Sequence, residues 1–381
     1  VELSGARLDE VELDLVEPFE TSFGVEKRRR FLLLRLESRD GHVGYGECVA
    51  SLDPLYSPET IGTAREMLTN HLLPAVLLPG SVTPESFRAE SARFRGNEMA
   101  KAVVESALID IAARARNRSV GRYLGGHRTR IEVGVSVGIQ RSVPALVRRV
   151  GRYRSDGYRR VKLKVRPGWD EAAVRAVRRE YPDLELWVDA NQAYPTSAVE
   201  RIRRWAEANH VAQVEQPFPA RAIRAHARLA RGATFRVCLD ESVVDESSLE
   251  DALAAHAITS LNVKVGRVGG LLTGRALARR AARHRVPAWV GGMLESGIGR
   301  AHNVHLASLA EMTLPADLSA SDRYYREDLI DPPFVLGPGS SLEVPRGPGL
   351  GVEVVERQLR RHRRSSRTFR RGARSARSSN R

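Results

Sequence analysis

The sequence predicts an α/β protein: a closed barrel of repeated βα units preceded by a smaller α+β domain. Two observations carry this. From Ile131 onward, short β-rich runs recur roughly every 25 residues, each followed by a helix-compatible stretch. Before the break at Gly125-Gly126, strands come first and helices follow. A series of βα units of that size gives parallel strands with right-handed crossovers. Seven or eight in a row favour a closed barrel over an open doubly wound sheet. No GxGxxG follows a first strand, which weakens a dinucleotide-binding reading.

In order, Val11–Val16, Phe31–Glu37 and Val43–Cys48 read as strands, with Gly41-His42 as a turn. From Asn97 to Arg116 the residues Ala100, Val103, Val104, Ala107, Leu108 and Ile111 repeat at helical spacing and predict one buried stripe. The barrel strands are expected at Ile131–Val137, Tyr158–Val165, Glu185–Asp189, Val211–Glu215, Phe235–Asp240, Ser260–Lys264 and Pro287–Gly291. Helices such as Asp170–Glu180, Thr196–Ala208 and Leu271–His284 lie between them. Asp322–Leu350 is rich in Pro and Gly and is expected to be loop. The expected division is 1–128 for the α+β domain, 129–320 for the barrel, 321–356 for a segment returning to the first domain, and 357–381 for a disordered tail.

The net charge of +15 resembles a nucleic-acid signal, but eleven Arg and no acid lie in Arg357–Arg381, and removing them leaves +4. The tail is expected to be solvated, without a specific nucleic-acid partner. No run of about 18 apolar residues is present, so no membrane span is expected. Val1–Asp14 lacks the shape of a signal peptide. With only Cys48 and Cys238, a disulfide framework is not expected, and the cytoplasm is the expected location.

Chemistry concentrates at the strand ends. LWVDAN places Asp189, VAQVEQP places Glu215 and RVCLDES places Asp240, separated by 26 and 25 residues, one βα unit each. In a barrel they sit side by side at the C-terminal rim, where barrel enzymes carry their sites. Three adjacent anions repel one another unless a cation holds them. An all-oxygen set suits Mg²⁺, with Mn²⁺ as a substitute, and no His or Cys pattern competes for zinc. Of 61 Lys plus Arg, only five are Lys. Lysine can lose its proton when its pKa is lowered, whereas arginine stays charged. Lys162 and Lys164 stand at i and i+2 in RRVKLKV, so their side chains share one strand face. Lys264 ends the sixth strand, opposite the second across the barrel. A cation site flanked by lysines suits removal of a proton next to a carboxylate, with Lys162 perturbing Lys164 and Arg267 perturbing Lys264.

At these residues the chain resembles the muconate-lactonizing subgroup of the enolase superfamily. KLK, DAN, VEQP, LDES and NVKVGRVGG stand in that order and spacing. With GGMLESGIGRAHN (291–303) and TLPADLSASDRYY (313–325), the match resembles the o-succinylbenzoate synthase and N-succinylamino-acid racemase family. PFETSFG (18–24) and DPLYSPE (53–59) extend it into the first domain.

The resemblance implies a modified TIM-type (β/α)7β barrel with an N-terminal α+β capping domain. It implies Asp189, Glu215 and Asp240 as Mg²⁺ ligands, Lys164 and Lys264 as opposed acid–base groups, and Lys162 as a partner of Lys164 that meets a small-molecule carboxylate substrate. The reaction implied is syn dehydration of 2-succinyl-6-hydroxy-2,4-cyclohexadiene-1-carboxylate in menaquinone synthesis, with N-succinylamino-acid racemisation as a companion activity. A dedicated N-acylamino-acid racemase, a dipeptide epimerase and a muconate cycloisomerase are the enzymatic alternatives. A basic nucleic-acid-binding protein is the non-enzymatic one. A homo-oligomer is expected. Ser136, Asn191, Phe19, Phe23, Gly292, Met293 and Arg267 are the candidate substrate-binding residues. Phe19 and Phe23 read equally as core, and for Asn191 a helix cap is the alternative.

Overall fold

A computed structural model describes residues 1–78 and 80–371. The first domain opens with an antiparallel meander of β1 (Leu3–Glu20), β2 (Val25–Ser38) and β3 (Val43–Cys48). Successive residues of β2 serve two cores. Leu32, Leu34 and Leu36 pack with Leu3 and Leu8 against the domain's own helices, while Phe31 and Leu33 pack with Val11 and Leu13 toward the barrel. Burial on both faces is why this strand reads FLLL rather than alternating.

Helices α1 (Ile61–Met67) and α2 (Leu73–Leu77) are joined by one π turn at Leu68–Leu72. Pro74 lacks the N–H that would continue the ladder there, which accounts for the widening. Then come α3 (Pro84–Ser91), α4 (Glu98–Arg114) and α5 (Val120–Leu124). The sequence shows one stripe on α4, but two faces are buried. Val103, Ala107 and Ile111 meet the meander, and Ala102, Ile109 and Ala113 meet the barrel core. Helix α4 lies close on β3 because Gly46 has no side chain: a Cβ there would sit 2.0 Å from the Val103 carbonyl oxygen.

The second domain alternates strand and helix. Its elements are β4 (Arg130–Glu132), β5 (Val135–Val137), α6 (Val143–Ser155), β6 (Arg160–Lys164), α7 (Glu171–Glu180), β7 (Glu185–Asp189), α8 (Val199–Ala208) and β8 (Gln213–Glu215). They continue with α9 (Ile223–Ala230), β9 (Arg236–Leu239), α10 (Glu246–Ala254), β10 (Ser260–Val263), α11 (Leu271–Arg283), β11 (Ala288–Val290) and α12 (Gly297–Ala307). Strands β5 to β11 form one parallel sheet in sequence order. Residues 312–317 close it. Met312 bridges Ala288, Ala316 bridges Val133, and the Asp317 amide donates to the Val290 carbonyl at 2.9 Å.

Ile131–Val137, expected as one strand, is two. β4 leaves the barrel and pairs with Ser341–Glu343, and the break falls at Gly134, where a Cβ would meet the Arg160 guanidinium at 2.3 Å. Outward residues such as Val161, Leu163, Leu186 and Val188 pack on the helices. Inward, Trp187, Cys238 and Trp289 form a plug beneath the rim, with the two indoles 5.2 Å apart.

The first domain is pinned to the barrel by buried carboxylates. Glu47 on β3 accepts from the Ser296 and Gly299 amides, at 3.0 and 3.1 Å, at the start of α12. Glu105 on α4 accepts from the Leu272 amide at 3.2 Å at the start of α11. Negative charge is favourable at both helix N-termini.

The chain then runs through β12 (Ile330–Asp331), β13 (Ser341–Glu343), β14 (Glu353–Val354), α13 (Glu356–His362) and β15 (Arg363–Arg370). The expectation that 357–381 is a disordered tail is corrected for its described part. β15 pairs antiparallel with β1, from Gly5 opposite Arg370 to Val11 opposite Arg363. The physical reason is charge matching along β1. Arg363 reaches Asp9 at 3.1 Å, Arg371 reaches Glu2 at 3.2 Å, and Arg364 pairs with Glu12. Residues 372–381 of the expected tail lie outside the described residues. Among the described residues, no helix is long and apolar enough to cross a membrane.

Candidate active site

Parallel pairing places the polar residues in layers. Ser136 on β5 is in register with Lys162 on β6, Lys164 with Asp189 on β7, and Asp189 with Glu215 on β8. Neighbours in register share a face, so these side chains all enter the barrel mouth. Asp240 follows β9 and Lys264 follows β10. Asp189, Glu215 and Asp240 are buried, and one carboxylate oxygen from each falls within 4.8 Å of the others. A cluster of buried hard oxygen donors, with no His or Cys among them, fits a hard divalent cation.

Each ammonium of the site is matched to carboxylates. Lys164 Nζ donates to Asp189 at 2.5 Å and to the Asn191 side-chain oxygen at 2.7 Å. Lys162 Nζ donates to Glu215 at 2.8 Å and lies 3.0 Å from Asp317. Lys264 Nζ donates to Asp240 at 2.7 Å, on the other flank of the triad, with its charge 4.6 Å from the Tyr56 ring centre. Burial disfavours charge on Lys162 and Lys264, but the facing carboxylates outweigh it, Asp317 most for Lys162 and Asp240 most for Lys264. Both ammoniums are held above the ordinary lysine range.

The acids respond unequally. Burial works to raise Asp240, yet Lys264 and Arg267 hold it well below the usual carboxylate range. Asp189 is likewise lowered, by Lys164 and Lys162 against burial. Glu215 is pushed up to about 7 by burial and by Asp189. Glu241 is pushed up to about 8 by burial and by Asp240. In both glutamates burial is the larger cause and repulsion from the neighbouring aspartate the second.

Above the triad lies a cavity of about 270 Å³ lined by Lys162, Lys164, Lys264 and Asn191. The predicted contact residues Ser136, Phe19, Phe23, Gly292 and Met293 also line it. Phe19 and Phe23 flank the turn between β1 and β2, in which the Thr21 amide donates to the Gly24 carbonyl at 2.9 Å. Phe19 is buried and lies 6.0 Å from Lys164 Nζ, while Phe23 is exposed at the rim. Ser136 is tied down from beneath, its hydroxyl donating to Asp317 at 2.7 Å. Asn191 does not cap a helix. Its backbone is left-handed at φ 42°, its amide donates to Asp189, and its side chain joins Lys164 to Glu241.

Arg267 is a correction. It was expected to face substrate and to act on Lys264, but it is buried outside the cavity lining. Its guanidinium pairs with Asp240 and donates to the Asn262 and Val243 carbonyls. A carboxylate and two carbonyl oxygens in a dry environment satisfy it better than the open mouth would.

Sequence reasoning missed Tyr56, whose hydroxyl donates to Asp240 at 2.8 Å, and Asn262, whose amide donates to Glu215 at 2.6 Å. It also missed Arg160, which donates to Asp317 at 2.9 Å. Asn262 and Arg160 had a readable signal, since each stands two residues before a lysine on the same inward face. Tyr56 lies in a loop, where no periodicity points to it.

Comparison with known proteins agrees with this geometry. Residues 5–125 match the model of the mandelate racemase and muconate lactonizing enzyme N-terminal domain, and 145–358 match the enolase C-terminal domain-like model. An N-succinylamino acid racemase of Amycolatopsis sp is 44% identical over 94% of this chain and 97% of its own. An o-succinylbenzoate synthase of Geobacillus stearothermophilus is 38% identical over 96% and 97%. The crystal structure of an enolase-superfamily protein from Listeria innocua is 36% identical, covering 97% of this chain and 99% of that one, with a TM-score of 0.92. A likeness that runs through both domains at this identity places the chain in the mandelate racemase and muconate lactonizing enzyme family of the enolase superfamily, and the capped (β/α) barrel read from its sequence is that family's fold.

Proposed function

We propose that the protein is an o-succinylbenzoate synthase that also racemises N-succinylamino acids, both by removing a proton α to a carboxylate. The observation that carries this reading is the pair of lysines, Lys164 and Lys264, lining one cavity from opposite sides of three clustered carboxylates. Similarity to proteins named for each of the two activities supports it. Asp189, Glu215 and Asp240 would hold a divalent cation, Mg²⁺ with Mn²⁺ as a substitute, which would supply Lewis-acid stabilisation of the charge that builds on the substrate carboxylate.

The chain's own groups do the proton transfer. Lys164 Nζ takes the α-proton from one face, and the C–H electron pair moves into the carboxylate to give an enediolate. Asn191 aims that ammonium, its side-chain oxygen accepting from Lys164 Nζ at 2.7 Å. In racemisation Lys264 returns a proton to the opposite face. In dehydration the enediolate collapses: the carboxylate is restored, the electron pair from the C–H bond becomes a new ring C=C bond to the carbon bearing the hydroxyl, the C–O bond breaks, and the hydroxide leaves as water with the proton held on Lys164. Phe19, Phe23 and Met293 shield the reacting carbon from solvent.

The test is one Mg²⁺-supplemented series. Dehydration of 2-succinyl-6-hydroxy-2,4-cyclohexadiene-1-carboxylate is measured beside α-hydrogen exchange of N-succinylamino acids in D₂O. Lys164→Ala and Lys264→Ala each abolish racemisation. A variant of either kind that keeps the wild-type racemase rate refutes the assignment.

A further inference from the structure

Gln216, the residue after Glu215, touches all three strands that carry the acids. Its backbone amide donates to the Cys238 carbonyl at 2.9 Å, on β9. Its carbonyl accepts from the Gln192 amide at 2.7 Å, in the turn that leaves β7 after Asp189. Its side-chain oxygen accepts from the amides of Asp240, at 2.9 Å, and Ser242, at 3.2 Å. Its side-chain nitrogen donates to the Ser242 hydroxyl at 2.7 Å and the Phe218 carbonyl at 3.1 Å. The Ser242 hydroxyl passes the chain on to the Ala220 carbonyl at 2.8 Å.

The amide is fully buried and its orientation is dictated. Oxygen must face two N–H groups, and nitrogen must face two oxygens. The backbone is left-handed at φ 36°, a conformation that a residue other than glycine holds only where its surroundings over-determine it. Nothing in the proposed chemistry uses this side chain. It lies behind the carboxylates, outside the cavity lining.

We infer that Gln216 is a positioning residue that fixes the separation of the three clustered carboxylates, by holding the Asp240 backbone at a set distance from Glu215 and from the turn that follows Asp189. The inference rests on the proposal that these acids hold a divalent cation. An octahedral Mg²⁺ tolerates little error in its oxygen positions. Groups that orient ligands typically change metal affinity or activity by about 10–100-fold when removed.

The experiment measures Mn²⁺ binding by the loss of the free-ion electron paramagnetic resonance signal. It compares the wild-type chain with Gln216→Met, Gln216→Glu and Ser242→Ala, each first confirmed as folded by circular dichroism. Gln216→Met removes every side-chain bond. Gln216→Glu keeps the shape but sets a carboxylate against the Phe218 carbonyl. Ser242→Ala removes only one of the partners of the side-chain nitrogen and covers the case in which a Gln216 variant does not fold. The expected result is a Kd for Mn²⁺ raised about 10–100-fold in both Gln216 variants and less in Ser242→Ala. At saturating Mn²⁺, α-hydrogen exchange recovers most of its rate, as required of a residue that acts through the ligands. Folded variants with wild-type Kd overturn the inference while leaving the cation site intact. A wild-type chain that does not bind Mn²⁺ overturns the cation site and this inference with it.

Discussion

Replacing Asp240 by Asn tests whether the charges at the barrel mouth are matched as the structure has them. One oxygen of Asp240 accepts from Lys264 at 2.7 Å, and the other from Arg267 and from Tyr56. All four side chains are buried or largely so. Removing one member of a buried pair costs about 3–5 kcal/mol, because the remaining charge loses its compensation. Part of this returns. Asp240 is one of the charges that raise Glu215 to about 7, so without it Glu215 ionises further at neutral pH and supplies negative charge near Lys264. One pK unit is worth about 1.4 kcal/mol, so the expected net loss is about 2–4 kcal/mol.

An unfolding entropy of about 2.1 cal/mol/K per residue, over a chain of this length, converts that loss to a fall of about 3–5 °C in Tm. Calorimetry at pH 7.5 in EDTA measures it with no divalent cation contributing. Lys264→Met is the companion variant, and it costs less, because Arg267 still neutralises Asp240. If Asp240→Asn melts at or above the wild-type temperature in EDTA, the site is dominated by repulsion among its acids and the matching argument fails. The argument also fails if Lys264→Met costs more.

Three further outcomes are expected. Burial pushes Glu47 up to about 7, so between its unfolded value and 7 the folded state holds a proton that the unfolded state has lost; its contribution is full at low pH and is lost as pH rises through 7. Glu47→Gln therefore flattens the fall in Tm between pH 5 and 8 relative to wild type, and parallel profiles for the two proteins refute this. Deleting residues 356–381 strips the edge of β1 and leaves Asp9 and Glu12 without Arg363 and Arg364, so Tm falls and light scattering shows association of the exposed edge; an unchanged, monodisperse protein refutes it. Gly46→Ala forces β3 away from α4 and lowers stability by about 1–3 kcal/mol or more in urea unfolding, and an unchanged midpoint shows that the close approach carries no strain.

The site was legible because its chemistry follows the strand period. Carboxylates one βα unit apart must share a rim, and lysines at i and i+2 must share a face, so Asp189, Glu215, Asp240, Lys162 and Lys164 could be gathered without coordinates. What was not legible depends on contacts distant in sequence. Arg267 was read by its nearness to Lys264, whereas its position is set by Asp240, on the neighbouring strand. Tyr56 reaches Asp240 across 184 residues. The Arg-rich C-terminal stretch was read by composition as solvated. Its partners Glu2, just before β1, and Asp9 and Glu12 on β1 were in plain view, but nothing local connects the two ends. The eighth barrel position, 312–317, carries too few hydrogen bonds to produce a strand pattern, and only its bridges to Val133 and Ala288 reveal it.

The pairing of β1 with β15 bears on how the molecule is made. Each paired residue of β1 waits for a partner on β15 more than 350 positions later in the chain. Contacts so far apart in the chain form slowly. Throughout synthesis of the barrel, the outer edge of β1 offers unpaired amides and carbonyls beside a row of acids. An uncovered edge of this kind is a template for strand-to-strand joining until its last neighbour arrives. When β15 docks, Arg363 and Arg364 pair with Asp9 and Glu12 and the edge is sealed.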